Sequence, residues 1–335
     1  MKKYRVSELA GNEILAKSVY LENGQLLLEK GISLDESYKE SLIALNIQDV
    51  FVQGPYEKYE RPNFYLEREK IINFQKQLEE ILSHHVYKEN KKLKRLKTLA
   101  EEIAEEIFQV ENKKLIDVVE HSGNLYEHII FTTMWSLILA KEYGFAKEQS
   151  AHLALGGLLH DLGLCYINVN YRDCHMEEMT PLEIFELKKH TILAYTALEQ
   201  ETWIPEISKK MILSHHEKID GSGYPLKQKN QELECKIIQI CDAMDGSLCG
   251  MERQKVSVEK ALEEISDSQK YDEEIVGILK AKIARYPVGT QLQLESGKKA
   301  IVVSQTENPF QPEIIELEEK DIHPKLLTEN VIHIF

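Results

Sequence analysis

Seven side chains able to bind metal interrupt apolar stretches of this sequence: His128, His160, Asp161, His190, His215, His216 and Asp242. His128 breaks the apolar run NLYEHIIFTTMWSLILAKEYG (124–144), and His160-Asp161 ends the small-residue, apolar stretch AHLALGGLL. His190 lies in LKKHTILAY, the tandem His215-His216 follows MILS, and Asp242 follows Ile237, Ile238 and Ile240. A carboxylate at the end of a buried helix is costly unless something compensates it, and a divalent cation would. Any one of these histidines, taken alone, reads as an ordinary core residue. Seven together exceed the four to six donors of one ion and suit two ions bridged by a carboxylate, with Asp161 the natural bridge. Histidine and aspartate donors favour Fe, Mn, Ni or Zn over Ca. Two ions about 3.5–4 Å apart are a device for phosphoester hydrolysis, supplying a bridging hydroxide and offsetting charge on phosphorus. His121 is a weaker candidate, and Asp245, one turn beyond Asp242, is read as a helix cap or an outer acceptor. His84-His85 has no further ligand types around it and is read as a solvated or interfacial pair.

The elements that must position these groups are mainly helical. Residues 111–284 carry successive stretches with apolar faces, the last near 273–285. Before them, 57–110 reads as a linker followed by a charged helix rich in Glu and Lys. Residues 1–56 form a small α/β domain: a turn at Glu22-Asn23-Gly24 leads into strand Gln25–Leu28, Leu34–Leu45 is a short helix, and Val50–Val52 is a second strand. Residues 286–335 form a β-rich extension, with a hairpin around Glu295-Ser296-Gly297 and a last strand at 331–335. The catalytic unit is then 111–285.

The chain has 335 residues, 43% of them hydrophobic, which suits a globular protein of two or three domains. With 41 Lys and Arg against 56 Asp and Glu, the net charge of −15 argues against nucleic-acid polymers as partners. An anionic small substrate stays compatible, because metal ions reverse the local field. No run approaches the ~20 apolar residues of a membrane helix, and the N-terminus has no signal-peptide core. Five cysteines without a Cys-x-x-Cys pair suggest a reduced, cytoplasmic setting.

In this order the motifs resemble the HD-GYP family, a branch of the HD-domain metal-dependent phosphohydrolases. The resemblance runs from His128 through LLHDLG, His190 and the tandem HHE to DGSGYP, and ends at ICDAMD. It implies an all-α catalytic domain in which His128, His160, Asp161, His190, His215, His216 and Asp242 hold two divalent ions, iron or manganese. It also implies hydrolysis of cyclic di-GMP, or a related cyclic dinucleotide, to the linear dinucleotide and on to GMP, with His160 and Asp161 central to the chemistry. In the turn, Gly221 and Gly223 let backbone approach substrate, Pro225 stiffens it, and Tyr224 offers a ring to guanine or a hydroxyl to phosphate. Some members hold a third ion with a Glu where this chain has Asn124, so two ions are expected here.

Three departures fall on the substrate side. Leu164 stands where the family usually has Lys, Phe131 where it often has Arg, and GSLCGMERQ replaces a stretch with Thr-Ser and an Arg near a Tyr. Two lost phosphate contacts at about 1.5–3 kcal/mol each would weaken substrate binding ~100-fold or more, unless Lys218, Lys188 or Arg253 substitutes. The alternatives are therefore a catalytically weak signalling protein that binds metal or ligand, and a phosphohydrolase for another nucleotide. A homodimer through the helical stretch at 65–110 is a further expectation.

Overall fold

The computed structural model describes all residues except 1, 10, 12, 17–18, 21–25, 30, 46, 48, 55, 84, 112–114, 119–120, 122–123, 176, 318–321 and 335. The chain divides into two compact units: 64–285, and 1–63 with 286–335.

The larger unit is helical: α2 (Arg68–Leu82), α3 (Arg95–Gln109), α4 (Leu125–Glu142), α5 (Lys147–Leu159), α6 (Pro181–Lys188), α7 (His190–Leu198), α8 (Glu206–Ser214), α9 (Leu233–Cys249), α10 (Val258–Glu264) and α11 (Glu273–Lys282). They follow α1 (Glu36–Ala44) of the smaller unit. Helix α4 is apolar around nearly its whole circumference and is buried along most of its length, as a central helix must be. It packs against α2, α3, α5, α9 and α11. Two of its buried hydroxyls bond back along the helix, Thr133 to the Ile129 carbonyl (2.7 Å) and Ser136 to that of Thr132 (2.8 Å), while the Thr132 hydroxyl is buried without a hydrogen bond. Asn124 caps its start by accepting from the Tyr126 N–H at 2.8 Å. The position that would supply a third-ion carboxylate is therefore occupied here by a helix cap.

The stretch read as a linker and one charged helix contains two helices, α2 and α3. Each is amphipathic. Ile71, Phe74, Leu78 and Ile81 of α2 and Leu96, Leu99, Ile103 and Ile107 of α3 are buried in the same core as the candidate ligands' helices. Lys and Glu occupy the other faces, which is why the sequence looks like a solvated surface.

In the smaller unit, β1 (Lys2–Arg5) pairs antiparallel with β4 (Asp49–Val52), and β2 (Val19–Tyr20) with β3 (Leu26–Leu28). Helix α1 is capped by Asp35, and Leu42 joins Val6, Leu15, Leu34, Val50 and Val52 in the core. The expected turn at 22–24 lies outside the described residues. The C-terminal strands β5 (Gln291–Leu294), β6 (Lys299–Ser304), β7 (Glu313–Glu316), β8 (Lys325–Leu326) and β9 (Val331–Ile334) form one antiparallel sheet in the order β8-β7-β6-β5-β9. The mainly helical class with a small N-terminal sheet and a β-rich C-terminal extension is thus the observed one.

Candidate metal centre

All seven candidate side chains converge at one place in the larger unit, and all are buried. His128 comes from the first turn of α4 and Asp242 from the middle of α9. The other histidines stand at helix ends: His160 after α5, His190 at the start of α7, and His215-His216 after α8. The last carbonyls of a helix have no partner within it, and three of these imidazoles use them. His160 Nδ1 donates to the Gly157 carbonyl (2.7 Å), His190 Nδ1 to that of Leu187 (2.8 Å), and His215 Nδ1 to that of Ile212 (2.9 Å). A carbonyl only accepts, so each Nδ1 carries the proton. Each Nε2 then presents a lone pair to the centre, the arrangement that suits a metal ligand.

The donors form two groups, His128, His160, Asp161, Asp242 and Asp161, His190, His215, His216. Within each group the ligand atoms lie within 4.8 Å of one another. Asp161 belongs to both. Its Oδ2 is 3.5 Å from His128 Nε2 and from His160 Nε2, and its Oδ1 is 3.6 Å from His190 Nε2 and 3.5 Å from His215 Nε2. One oxygen therefore faces each group. Close approach makes this possible: a Cβ on Gly163 would sit 1.9 Å from the His190 carbonyl oxygen, so only glycine lets the turn after Asp161 lie against the start of α7.

The donors are poorly satisfied by one another. His190 Nε2 and His215 Nε2 are 3.1 Å apart with both Nδ1 protons committed elsewhere, so two lone pairs face each other. His160 Nε2, Asp161 Oδ1 and His216 Nε2 are buried without a hydrogen bond. Buried polar atoms are rarely left so; a pair of divalent cations would satisfy those of His160 and Asp161, while His216 Nε2 faces the Glu252 carboxylate at 3.1 Å. Two buried His/Asp groups sharing one carboxylate are consistent with a binuclear site.

Charge is organised to match. Burial alone would raise the carboxyls, but the imidazoles outweigh it, chiefly His160 for Asp161, His128 for Asp242 and His121 for Asp245, and hold all three below the usual carboxylate value. Burial opposes charge on His128, yet Asp242 (3.0 Å from Nε2) and Asp245 (2.8 Å from Nδ1) lift it well above the ordinary histidine value. His160 is raised against its burial by Asp161 and Asp242. His215 falls to about 4, through burial and then the neighbouring His216.

Asp245 takes the outer-acceptor role expected of it, with His121 backing it at 3.1 Å. His121 itself falls in a third group with Asp245 and Cys249. The Cys249 thiol is pushed up by burial, and its sulfur lies 3.8 Å from His128 Nδ1. Of the other histidine pair, His84 lies outside the described residues, and the His85 ring lies 5.8 Å from that of Tyr166, outside the three groups.

The GYP turn lies beside the second group. A Cβ on Gly223 would meet the His216 carbonyl and the Glu217 Cα at 2.5 Å, so the turn is pressed against the tandem histidines. Gly221 has φ +81°, and Pro225 follows a cis peptide. Buried Glu217, for which the sequence suggested no role, accepts from the N–H groups of Leu226 (2.5 Å) and Gln228 (2.9 Å) and ties the turn down. The Tyr224 ring stacks on His216 (4.8 Å, 28°), and its hydroxyl donates to Glu252 at 3.4 Å.

The cations expected to meet phosphate are otherwise engaged. Lys218 donates to the Tyr271 hydroxyl at 2.8 Å, Lys188 lies 5.1 Å from the Tyr224 ring centre, and Arg253 donates to Ser247 at 3.3 Å. Leu164 is buried, and Phe131 is buried and stacks on His121. Sequence reasoning also passed over Glu252, a buried carboxylate 3.1 Å from His216 Nε2 and 3.3 Å from His190 Nδ1. Burial would raise it, but His216 and then His190 hold it below the usual value. Only its place beside Arg253, in the stretch that departs from the family, hinted at it.

Comparison with known proteins agrees with the motifs. Residues 125–247 match the HD domain. A cyclic di-GMP phosphodiesterase of Pseudomonas aeruginosa is 24% identical over 184 residues, 54% of this chain and 44% of that one. Another, from Borreliella burgdorferi, is 26% identical over 193 residues, 56% of this chain and 50% of that one. The chain thus spans no more than half the length of these relatives. The solved structure of an HDG"Y"P protein from Bdellovibrio bacteriovorus has the same fold, with a TM-score of 0.53 at 18% identity over 83% of this chain and 97% of that one. No helix among the described residues is long and apolar enough to cross a membrane.

Proposed function

We propose that this chain, which carries an HD domain and has cyclic di-GMP phosphodiesterases among its relatives, is a metal-dependent phosphodiesterase. Its substrate in this reading is cyclic di-GMP or a related cyclic dinucleotide, cleaved to the linear dinucleotide and on to GMP. The observation that carries the proposal is the Asp161 carboxylate, with one oxygen toward each histidine group. His128, His160 and Asp242 would hold one divalent ion, His190, His215 and His216 the other, and Asp161 both. Such a pair acidifies water at neutral pH and offsets negative charge gathering on phosphorus. The chain does the positioning. Carbonyls at helix ends and Asp245 fix the imidazoles, the apolar helices exclude bulk water, and Gly221, Gly223, Tyr224 and Pro225 form the edge that a nucleotide would meet. Iron and manganese suit the donors.

A specific observation favours a second reading, a weak enzyme that signals by binding, or a hydrolase of another phosphate ester. Leu164 is buried and apolar, and Lys218 and Arg253 are paired with other groups. The test is to purify the chain without oxygen, load it with Fe(II) or Mn(II), and follow cyclic di-GMP and a panel of phosphate esters by chromatography beside His160→Ala. Turnover of cyclic di-GMP that the substitution abolishes supports the proposal. Two bound ions with no turnover of cyclic di-GMP defeat it, and hydrolysis of another ester would then identify the substrate.

A further inference from the structure

We infer that Glu252 is a positioning residue for the second ion, backing His216 from its outer side as Asp245 backs His128. The inference rests on the two-ion reading above. Each imidazole of the second group has an inward and an outward nitrogen. His190 turns Nε2 toward Asp161 and His215, and its outward Nδ1 gives its proton to the Leu187 carbonyl, with Glu252 Oε1 3.3 Å away. His216 turns Nδ1 toward Asp242 (3.5 Å), and Glu252 Oε2 lies 3.1 Å from its Nε2. The carboxylate thus faces the outward nitrogen of His216 and lies beside that of His190. It reaches the GYP turn as well, through the Tyr224 hydroxyl.

The backbone is shaped to deliver it. Helix α9 ends at Gly250 in the left-handed conformation (φ +81°), and two residues later Glu252 is itself left-handed, at φ +57°. A residue with a side chain pays for that conformation and keeps it where surrounding contacts impose it, often at functional sites. The contacts are present: Glu252 N–H donates to the Tyr171 carbonyl at 2.6 Å, and Asp173 N–H to that of Gly250 at 2.6 Å. Glu252 Oε1 and His216 Nε2 make no hydrogen bond although both are buried. A carboxylate serving only to stabilise the loop would be bonded within the loop. This one is aimed at two histidines of the centre.

Outer carboxylates fix the ring and raise the basicity of a ligating histidine, and losing one typically costs 10–100-fold in metal affinity. The test is Mn(II) titration of the full chain, with free Mn(II) counted by electron paramagnetic resonance. Wild type is compared with Glu252→Ala and Glu252→Gln, and thermal unfolding of the metal-free proteins is the control. Expected is a wild type that takes two equivalents. Glu252→Ala should keep one at wild-type affinity and bind the other ~10–100-fold more weakly. Glu252→Gln, whose amide oxygen can still lie against His216, should recover most of that loss, with metal-free unfolding temperatures alike. Two equivalents bound equally tightly by wild type and Glu252→Ala overturn the inference and leave the two-ion reading standing. Equal weakening of both equivalents, or no recovery with Gln, also overturns it. A wild type that never takes a second equivalent overturns both.

Discussion

Gly163→Ala places one methyl group where the fold has no room. The added Cβ would lie 1.9 Å from the His190 carbonyl oxygen, 2.6 Å from its carbon and 2.8 Å from its Cα. All three are backbone atoms, so no side chain can swing aside. Ordinary contact begins near 3.4 Å, which leaves about 1.5 Å (3.4 less 1.9) to be made up by moving the turn or the start of α7. Overpacking of this kind costs ~1–3 kcal/mol. For a unit of this size that is roughly 2–12 °C in unfolding temperature, at ~2–4 °C per kcal/mol. The displaced residue is His190 itself, so metal uptake should weaken tenfold or more. Gly277→Ala is the control. Gly277 is helical in α11, has nothing within 4 Å of its added Cβ, and should gain ~0.5–1 kcal/mol from helix propensity. Scanning calorimetry and Mn(II) titration of the two variants should move in opposite directions for stability, and only Gly163→Ala should lose metal. A Gly163→Ala protein with wild-type melting and metal affinity would refute the close approach on which the centre depends.

Asp161→Asn should remove more metal than any substitution confined to one group, because each oxygen serves one group. Elemental analysis after desalting is expected to find well under one ion per chain, against one retained by His216→Ala. Proton release should accompany loading. The metal-free His128 is raised well above ordinary histidine, so near pH 7 it carries a proton that a cation at Nε2 must displace. Calorimetry in buffers of different ionisation enthalpy should show that release shrinking as pH rises through the raised value. By the same sign, His128 stabilises the metal-free fold fully below about pH 6.5 and loses that contribution as pH rises through its folded value. His215, lowered to about 4, works oppositely: its contribution is present above about pH 6.5 and is lost as pH falls toward its folded value.

The centre was legible in the sequence to the extent that it is local. His160, His190 and His215 each follow a helical run and bond the carbonyl three residues back, so chain position alone sets their orientation. Asp161 as the shared carboxylate follows from the count of donors. What was not legible depends on distant segments. Glu252 enters the site because residues 171–173 hold the loop after α9. Lys218 turns to Tyr271, contributed from 53 residues further on, so its proximity to the HHE motif gave no warning of its direction. Between 65 and 110 the charged faces of α2 and α3 dominated the composition, while their narrower apolar stripes, which decide packing, pointed to the core.

The central claim is that one carboxylate, Asp161, is shared by two ions. Crystals grown with Mn(II) and measured at a wavelength where manganese scatters anomalously test it most directly. Two anomalous peaks about 3.5–4 Å apart, one beside each oxygen of Asp161, are predicted. A single peak, or two peaks with Asp161 bound to only one, would contradict it.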